Sequence, residues 1–271
     1  MRNNNVIRSP LRFPGSKSKV LNRIQPYLLT HHKEYREPFL GGGSIFLSKP
    51  LSSINWINDK DFRVFNFFNV IRDSPDHLCK MIKETQPTVE LWREFRSMAA
   101  SEDKVFQAFQ FLFFNRTNYS GIYNANPIGG LNQNSKYKID CRWNPEMLCS
   151  RIQLCSDKLQ SIKITNQDFS NLILAPGEDV LLLIDPPYYV KGNSLYPIGM
   201  KPDEHRALAR LLKETTHKFL LTIDDNEHTR EIYKSDDFIY NQETWFYTVH
   251  SKKKDNTGKE LFISNFQLEK S

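Results

Sequence analysis

The sequence predicts an α/β fold, a doubly wound, mostly parallel sheet interrupted by a mainly helical insertion. Three observations predict it. Short apolar runs end repeatedly in polar residues that include an aspartate: 53–57 at Asn58-Asp59, 162–165 at Asn166-Gln167-Asp168, 180–184 at Asp185, and 219–223 at Asp224-Asp225. A helical apolar period lies between the last two, with Leu208, Leu211, Leu212 and Thr215 on one face of residues 203–215. The alternation then fails over residues 71–149, which begin helical and end in a long Asn-, Gly-, Pro- and Tyr-rich stretch.

Each element has a reason. Apolar runs of this length bounded by turn formers read as buried strands. Asp203 and Glu204 occupy the first turn of the 203–215 helix, where acids suit the positive end of the helix dipole. Strands alternating with helices indicate a parallel sheet, and such sheets bind ligands outside the carboxyl ends of their strands. A single aspartate there often only starts a turn; four of them meet what a ligand site needs. Toward the C-terminus, β-rich runs at 244–249 and 260–264 flank a polar loop at 252–258, the pattern of a hairpin. A structureless loop as long as Asn115 to Tyr137 is uncommon unless functional. The expected organisation is one discontinuous domain, 1–70 with 150–271, and an insertion at 71–149.

Charge and composition narrow the function classes. The chain has 271 residues and a formal net charge of +6. Residues 1–36 carry eight basic side chains and one acid, a net of +7. Residues 104–145 carry Lys104, Arg116, Lys136, Lys138 and Arg142 against Asp140, a net of +4. Basic segments on a nearly neutral body point to a polyanion partner as readily as to solvated arms. The longest clean apolar run, 180–184, is far short of the roughly 20 residues that a membrane helix needs. Met1 to Asn5 lead into no apolar segment, so the expectation is a soluble protein without a secretory signal. Cys79, Cys141, Cys149 and Cys155 lack the close pairing of a zinc site, so no metal is expected.

Two motifs carry chemistry. In Glu37-Pro38-Phe39-Leu40-Gly41-Gly42-Gly43-Ser44, three glycines let the backbone turn sharply and approach a ligand. Asp59, at the end of the next strand, is placed to accept hydrogen bonds from a ribose. In Asp185-Pro186-Pro187-Tyr188, two prolines remove two N–H donors and leave carbonyls as free acceptors. A carboxylate, free carbonyls and an aromatic face together suit a planar base with an exocyclic NH2.

Together these residues resemble the DNA adenine-N-6 methyltransferases of the Dam type, in the α arrangement of motifs. The order of basic N-terminal motif, glycine loop, recognition insertion and Asp-Pro-Pro-Tyr runs over essentially the whole chain. Arg12-Phe13-Pro14-Gly15-Ser16-Lys17 is similar to the N-terminal motif, with Phe13 where a tryptophan is common. Asn115-Arg116-Thr117-Asn118-Tyr119-Ser120-Gly121-Ile122-Tyr123 is similar to the recognition-domain signature. Beyond Tyr123 the likeness to the GATC-reading members fades, and their target sequence does not carry over.

The resemblance implies a seven-stranded, Rossmann-like class I methyltransferase with an inserted DNA-recognition domain. Its cofactor would be S-adenosylmethionine, held by Phe13, Lys17, Glu37, Phe39, Gly41, Gly42, Gly43, Asp59, Asp168, Phe169 and Asp185, with no metal. Catalysis would fall to Asp185, Pro186, Pro187 and Tyr188, the tyrosine stacking on a base flipped from the duplex. DNA would meet Arg12, Arg116, Asn118, Tyr119, Tyr123, Lys136 and Lys138. The implied partner is double-stranded DNA, with a cognate restriction endonuclease where the enzyme serves restriction–modification. A monomer in a prokaryotic or phage-infected cytoplasm is the expected state. Cytosine-C5 methylation is disfavoured, because it uses a nucleophilic Cys usually preceded by Pro, and none of the four Cys follows a Pro. RNA or protein-amide methylation more often goes with Asn-Pro-Pro-aromatic, where this chain has Asp185. Cytosine-N4 methylation needs nearly the same acceptors and stays open on the residues alone, as does a non-catalytic DNA-binding module on the same fold.

Overall fold

The order in which the chain lays down its strands decides where a ligand can sit. The computed structural model describes residues 6–13, 15, 17, 20–189, 198–246 and 257–268. The strands are β1 (Glu34–Glu37), β2 (Ile54–Asn58), β3 (Lys163–Thr165), β4 (Val180–Ile184), β5 (Lys218–Asp224), β6 (Ile239–Phe246) and β7 (Thr257–Ser264). They form one seven-stranded sheet in the order β3-β2-β1-β4-β5-β7-β6. Neighbours from β3 to β5 are parallel, while β7 runs antiparallel between β5 and β6. The chain winds outward from β1 to β2 and β3, then returns to β4 on the other side of β1. That reversal makes the gap between β1 and β4 the topological switch point, where open α/β sheets bind their ligands. The polar loop expected between the last two strands lies mostly outside the described residues.

Side-chain alternation gives the sheet two apolar faces. On β4, Leu181 and Leu183 join a core with Tyr35, Ile57 and Phe262, whereas Val180, Leu182 and Ile184 join another with Phe219, Leu221 and Ile263. The second core is covered by α8 (Phe169–Leu174) and α9 (Pro202–Glu214), the latter through Leu208 and Leu212. The first is covered by α1 (Leu21–Leu28), α2 (Ser44–Ser48) and α3 (Phe62–Asp73). The short α10 (Glu227–Ile232) follows β5.

β1 escapes the apolar periodicity because its sequence is Glu-Tyr-Arg-Glu, yet all four residues are buried. Arg36 explains how. It donates to Glu34 Oε1 at 2.6 Å and to the carbonyls of Leu172, Ala175 and Pro176 at 2.6–2.8 Å. A buried guanidinium is tolerated only when its donors and charge are matched in this way.

The stretch expected to be an insertion holds α4 (Pro75–Glu84), α5 (Val89–Ser97) and α6 (Lys104–Thr117), followed by a loop and α7 (Pro145–Leu159). Phe109, Phe111, Leu112, Phe113 and Phe114 bury α6 almost all round. Phe111 meets Phe67 of α3 at 5.8 Å between ring centroids, and one apolar core runs from these rings to Ile57 and Leu181 of the sheet. Residue 71 lies within α3 and residue 149 within α7, so unbroken helices carry the chain across both ends of the insertion. No helix among the described residues is long and apolar enough to cross a membrane.

Candidate active site

At the end of β1 the backbone enters the glycine loop. Gly41 has φ +51° and Gly43 has φ +69°, conformations that favour glycine. A Cβ on Gly42 would lie 2.8 Å from Phe13 Cβ, so the missing side chain is also what lets the Phe13 ring close over the loop. Asp59, at the end of β2, clamps the loop from the other side. Its Oδ2 accepts from Gly41 N and its Oδ1 from Asp61 N, both at 2.8 Å. Burial raises the Asp59 carboxyl to about 7.

Asn58, 1% exposed, braces three strand ends at once. Its Nδ2 donates to the carbonyls of Pro38 and Gln167, while its Oδ1 accepts from Thr165 Oγ1 and Gln167 N. The loops after β1, β2 and β3 are thereby held in one frame. Phe39 and Phe169 face one another across it, with centroids 5.4 Å apart and planes inclined at 31°.

The pocket that these loops enclose is lined by Phe13, Glu37, Phe39, Gly41, Gly42, Asp59, Phe169, Asp185 and Pro187. Nine positions expected for the cofactor or the chemistry thus meet around one space. Lys60, Asp61, Ile198, Met200 and Glu204 also line it and were not expected. The first two stand directly after Asp59 and were open to notice; the others come from a segment without a motif. Glu37 is buried against the Tyr35 hydroxyl, 2.6 Å away. Burial, reinforced by Asp185 and Asp59, pushes its carboxyl up to about 8.

Three expectations about the cofactor change. Lys17 does not line the pocket; it is buried, with its Nζ 2.6 Å from Asp185 Oδ1 and 3.1 Å from Glu260 Oε1. Asp168 does not line the pocket; its Oδ1 caps α8 by accepting from Ser170 N at 3.1 Å and Ser170 Oγ at 2.7 Å. A carboxylate at that position satisfies the first free amides of the helix. Gly43 also stands back from the pocket, because a Cβ there would meet Phe68 at 2.9 Å.

Asp185 follows β4 at the switch point. Its Oδ1 is held by Lys17 Nζ at 2.6 Å and by Thr222 Oγ1 of β5 at 2.8 Å. Lys17 Nζ also lies 3.1 Å from Glu260 Oε1 of β7 and 5.1 Å from the Tyr188 ring centroid. The Tyr188 hydroxyl donates to Glu260. Tyr188 is 6% exposed, which corrects the expectation of an open aromatic plate. A buried phenol must spend its hydroxyl on a partner, and Glu260 is that partner. Burial lifts the Glu260 carboxyl while Lys17 pulls it back.

The residues expected to meet DNA divide by burial. Arg116 is 4% exposed and donates to the Pro10 carbonyl, at 2.7 Å from Nε. Asn118 is 0% exposed; it accepts from Trp92 Nε1 at 2.7 Å and donates to the carbonyls of Ile122 and Tyr123. Both are corrections, since a side chain spent on internal carbonyls is not free for phosphates or base edges. Asn115 bonds both backbone groups of Arg12 at 2.7 Å, and a Cβ on Gly121 would lie 2.4 Å from the Arg12 carbonyl. The recognition signature therefore sews residues 10–13 to the insertion. Tyr123 is half-buried, with the guanidiniums of Arg63 at 4.4 Å and Arg96 at 5.1 Å from its ring. Arg12 is half-buried, its charged form disfavoured by burial and by Arg142. Tyr119, 60% exposed, and the exposed Lys136 and Lys138 face solvent.

The comparison with known families now decides between adenine and the alternatives. The family model for D12 class N6 adenine-specific DNA methyltransferases matches residues 13–249. The chain belongs to that family. It is an adenine-specific DNA methyltransferase, so its substrate is DNA, and membership implies S-adenosylmethionine as the methyl donor. It is 24% identical to a DNA adenine methylase of Vibrio cholerae over 242 residues, covering 84% of this chain and 85% of that one. It is 26% identical to the DNA N-6-adenine-methyltransferase of Escherichia phage P1, covering 85% of this chain and 32% of the phage protein. A type II methyltransferase of Lactococcus lactis is 25% identical over 65% of this chain and 64% of its own length. The family match also removes cytosine-N4 methylation and the non-catalytic reading.

Proposed function

We propose that the pocket at the β1–β4 switch point binds S-adenosylmethionine and that Asp185 receives the target adenine at its rim. The observation that carries this is the meeting of three carboxylates, Glu37, Asp59 and Asp185, with a pair of aromatic rings, Phe39 and Phe169, around one pocket beside the Asp-Pro-Pro-Tyr turn. The residues fit the cofactor. Phe39 and Phe169 offer apolar faces to its adenine ring, and Asp59 offers acceptors to its ribose. Glu37 and Asp185 face its cationic amino-acid end. The bare backbone at Gly41 and Gly42 allows close approach. When bound, the cofactor supplies an electrophilic sulfonium methyl group.

Catalysis by the chain is positioning and charge matching. Asp185 and the Pro186 carbonyl accept the two amino hydrogens of the target adenine, which turns the nitrogen lone pair out of the ring plane toward the methyl. The target amine lies inside a duplex stack, so the base is extruded to reach Asp185. Thr222 holds one oxygen of Asp185 and so orients the carboxylate, while Lys17 occupies that same oxygen in the ligand-free protein. The Tyr188 face becomes available to the base once Lys17 has moved off it. Tyr119, Lys136, Lys138 and the basic N-terminal segment supply the contacts to DNA. Similarity to a type II methyltransferase supports a place in restriction–modification, with a cognate endonuclease as partner.

The test is transfer of tritium from labelled S-adenosylmethionine to mixed plasmid DNA, followed by nucleoside analysis. Label is expected in N6-methyladenine without added metal. Asp185→Ala is expected to lower transfer by about 10³-fold, the scale of a lost transition-state contact, and to weaken cofactor binding far less than that. Transfer that survives Asp185→Ala would remove Asp185 from its role.

A further inference from the structure

Glu260 lies outside every motif singled out in the sequence, yet it sits at the centre of the site. It is 0% exposed, its Oε1 serves both Tyr188 and Lys17, and its Oε2 is buried with no hydrogen-bond partner among the described residues. A carboxylate buried in this way is costly unless a cation compensates it, and Lys17 lies 3.1 Å away. Lys17 also lies 2.6 Å from Asp185 and over the Tyr188 ring. A donor nitrogen bonded to Asp185 above Tyr188 stands where the amino group of an extruded adenine would stand. Two carboxylates therefore share one ammonium, and the substrate needs only one of them.

We propose that Glu260 is a positioning residue that retains Lys17 when the target amino group displaces it from Asp185. This deepens the reading above and rests on Asp185 being the acceptor. Neutralising Glu260 takes a counter-charge from Lys17 and tightens its hold on Asp185, so the incoming base must compete with the lysine. Among the described residues, the charged and titratable groups that face Glu260 include Lys17, Asp185 and Tyr188, with Asp224 on β5 and Glu243 on β6 as its register partners. Glu243 is itself paired with Arg23.

Single-turnover transfer to plasmid DNA with labelled S-adenosylmethionine tests this. Glu260→Gln keeps the volume and the acceptor for Tyr188 while removing the charge. The rate is expected to fall by about 10²-fold, as for loss of one electrostatic contact at a reacting centre, with cofactor affinity changed less than about threefold. Glu260→Asp, which restores the charge, is expected to recover at least about tenfold of that loss. In a Lys17→Gln background, adding Glu260→Gln is expected to change the rate by less than about threefold, because a residue acting through Lys17 then has nothing to hold. A wild-type rate in Glu260→Gln, or losses that multiply in the double variant, overturns the inference.

Should Glu260→Gln fail to bind cofactor or to melt cooperatively, the unmodified enzyme decides. At saturating S-adenosylmethionine, where the titration of Glu37 no longer limits binding, protonation of Glu260 on lowering the pH through about 7 mimics the amide, so the rate should fall there, and that acid limb should vanish in Lys17→Gln. A wild-type profile flat between about pH 5.5 and 8.5, or a limb unchanged in Lys17→Gln, overturns the inference equally. Asp185→Ala separates the two readings. Retained transfer in that variant defeats the acceptor role, whereas an inactive Asp185→Ala beside a fully active Glu260→Gln defeats only the role of Glu260.

Discussion

The mouth of the sheet and the helical insertion were both marked by motifs, and burial treats the two differently. At the mouth, Glu37, Asp59 and Asp185 come from three strand ends and all turn toward one pocket. In the insertion, Arg116 and Asn118 turn inward and spend their donors on backbone carbonyls. Strand ends at a switch point have a fixed direction, so a polar residue there faces a ligand. A polar residue at the end of a helix such as α6 has two uses, meeting a ligand or closing the loop that follows. Residue type alone does not choose between them.

The largest effect that would break this contrast is on stability. Arg116→Met leaves the Pro10 carbonyl buried without its donor and is expected to destabilise the protein by about 2–4 kcal/mol. Urea unfolding measures this, with Lys138→Ala as a surface control expected within about 0.5 kcal/mol of wild type. An Arg116→Met protein of native stability with weakened DNA binding would return Arg116 to the DNA surface.

Legibility in the sequence follows the same division. β4 and β5 were readable because burial on both faces demands an apolar run, and β2 and β3 because their few apolar residues end in turn formers. β1 was not, because Arg36 is paired with Glu34 and its remaining donors are taken by carbonyls from α8 and the turn after it, contacts between distant segments that no local pattern encodes. Asp185 and the glycine loop were readable because local backbone chemistry makes them acceptors and turns. Glu260 gave no signal beyond a carboxylate opening an apolar strand; only the antiparallel placement of β7 beside β5 carries it to Lys17 and Tyr188. Asp168 looked like a ligand because helix caps and cofactor acids use the same residue at the same kind of place.

At the mouth itself, pH sharpens the comparison. Glu37 stands near 8 in the ligand-free protein, so at neutral pH it is largely protonated. A cationic ligand favours the carboxylate, so affinity for S-adenosylmethionine is expected to rise with pH, by up to about tenfold per unit below pH 8, and level off above it. Calorimetric titration across that range checks it, and Glu37→Gln should flatten the slope. Stability of the ligand-free protein runs the other way. Glu37 and Asp59 have carboxyls raised above their ordinary values, so their contribution is full below about pH 4 and is lost as pH climbs toward 7 and 8. Melting temperatures that rise over that interval would contradict the burial assigned to both acids.

A smaller effect comes from Gly42, where a methyl group would press on Phe13 from 2.8 Å. Gly42→Ala is expected to push the ring off the loop and weaken cofactor binding by about tenfold, the cost of modest overpacking, with little change in the melting temperature of the ligand-free protein. Affinity unchanged within about twofold would mean that Phe13 does not close the pocket.

The smallest effect belongs to the exposed lysines, and it tests the insertion as a DNA surface. Lys136 and Lys138 face solvent, so removing either costs the fold almost nothing. If each neutralises one phosphate, each alanine substitution should reduce the slope of log affinity against log salt by about 1, with an equal loss on plasmids of unrelated sequence. Fluorescence anisotropy at several salt concentrations measures that slope. A slope unchanged in the double variant would move the DNA surface away from this loop, leaving Tyr119 and the N-terminal arm to carry it. A loss confined to one sequence would instead show that these lysines read bases.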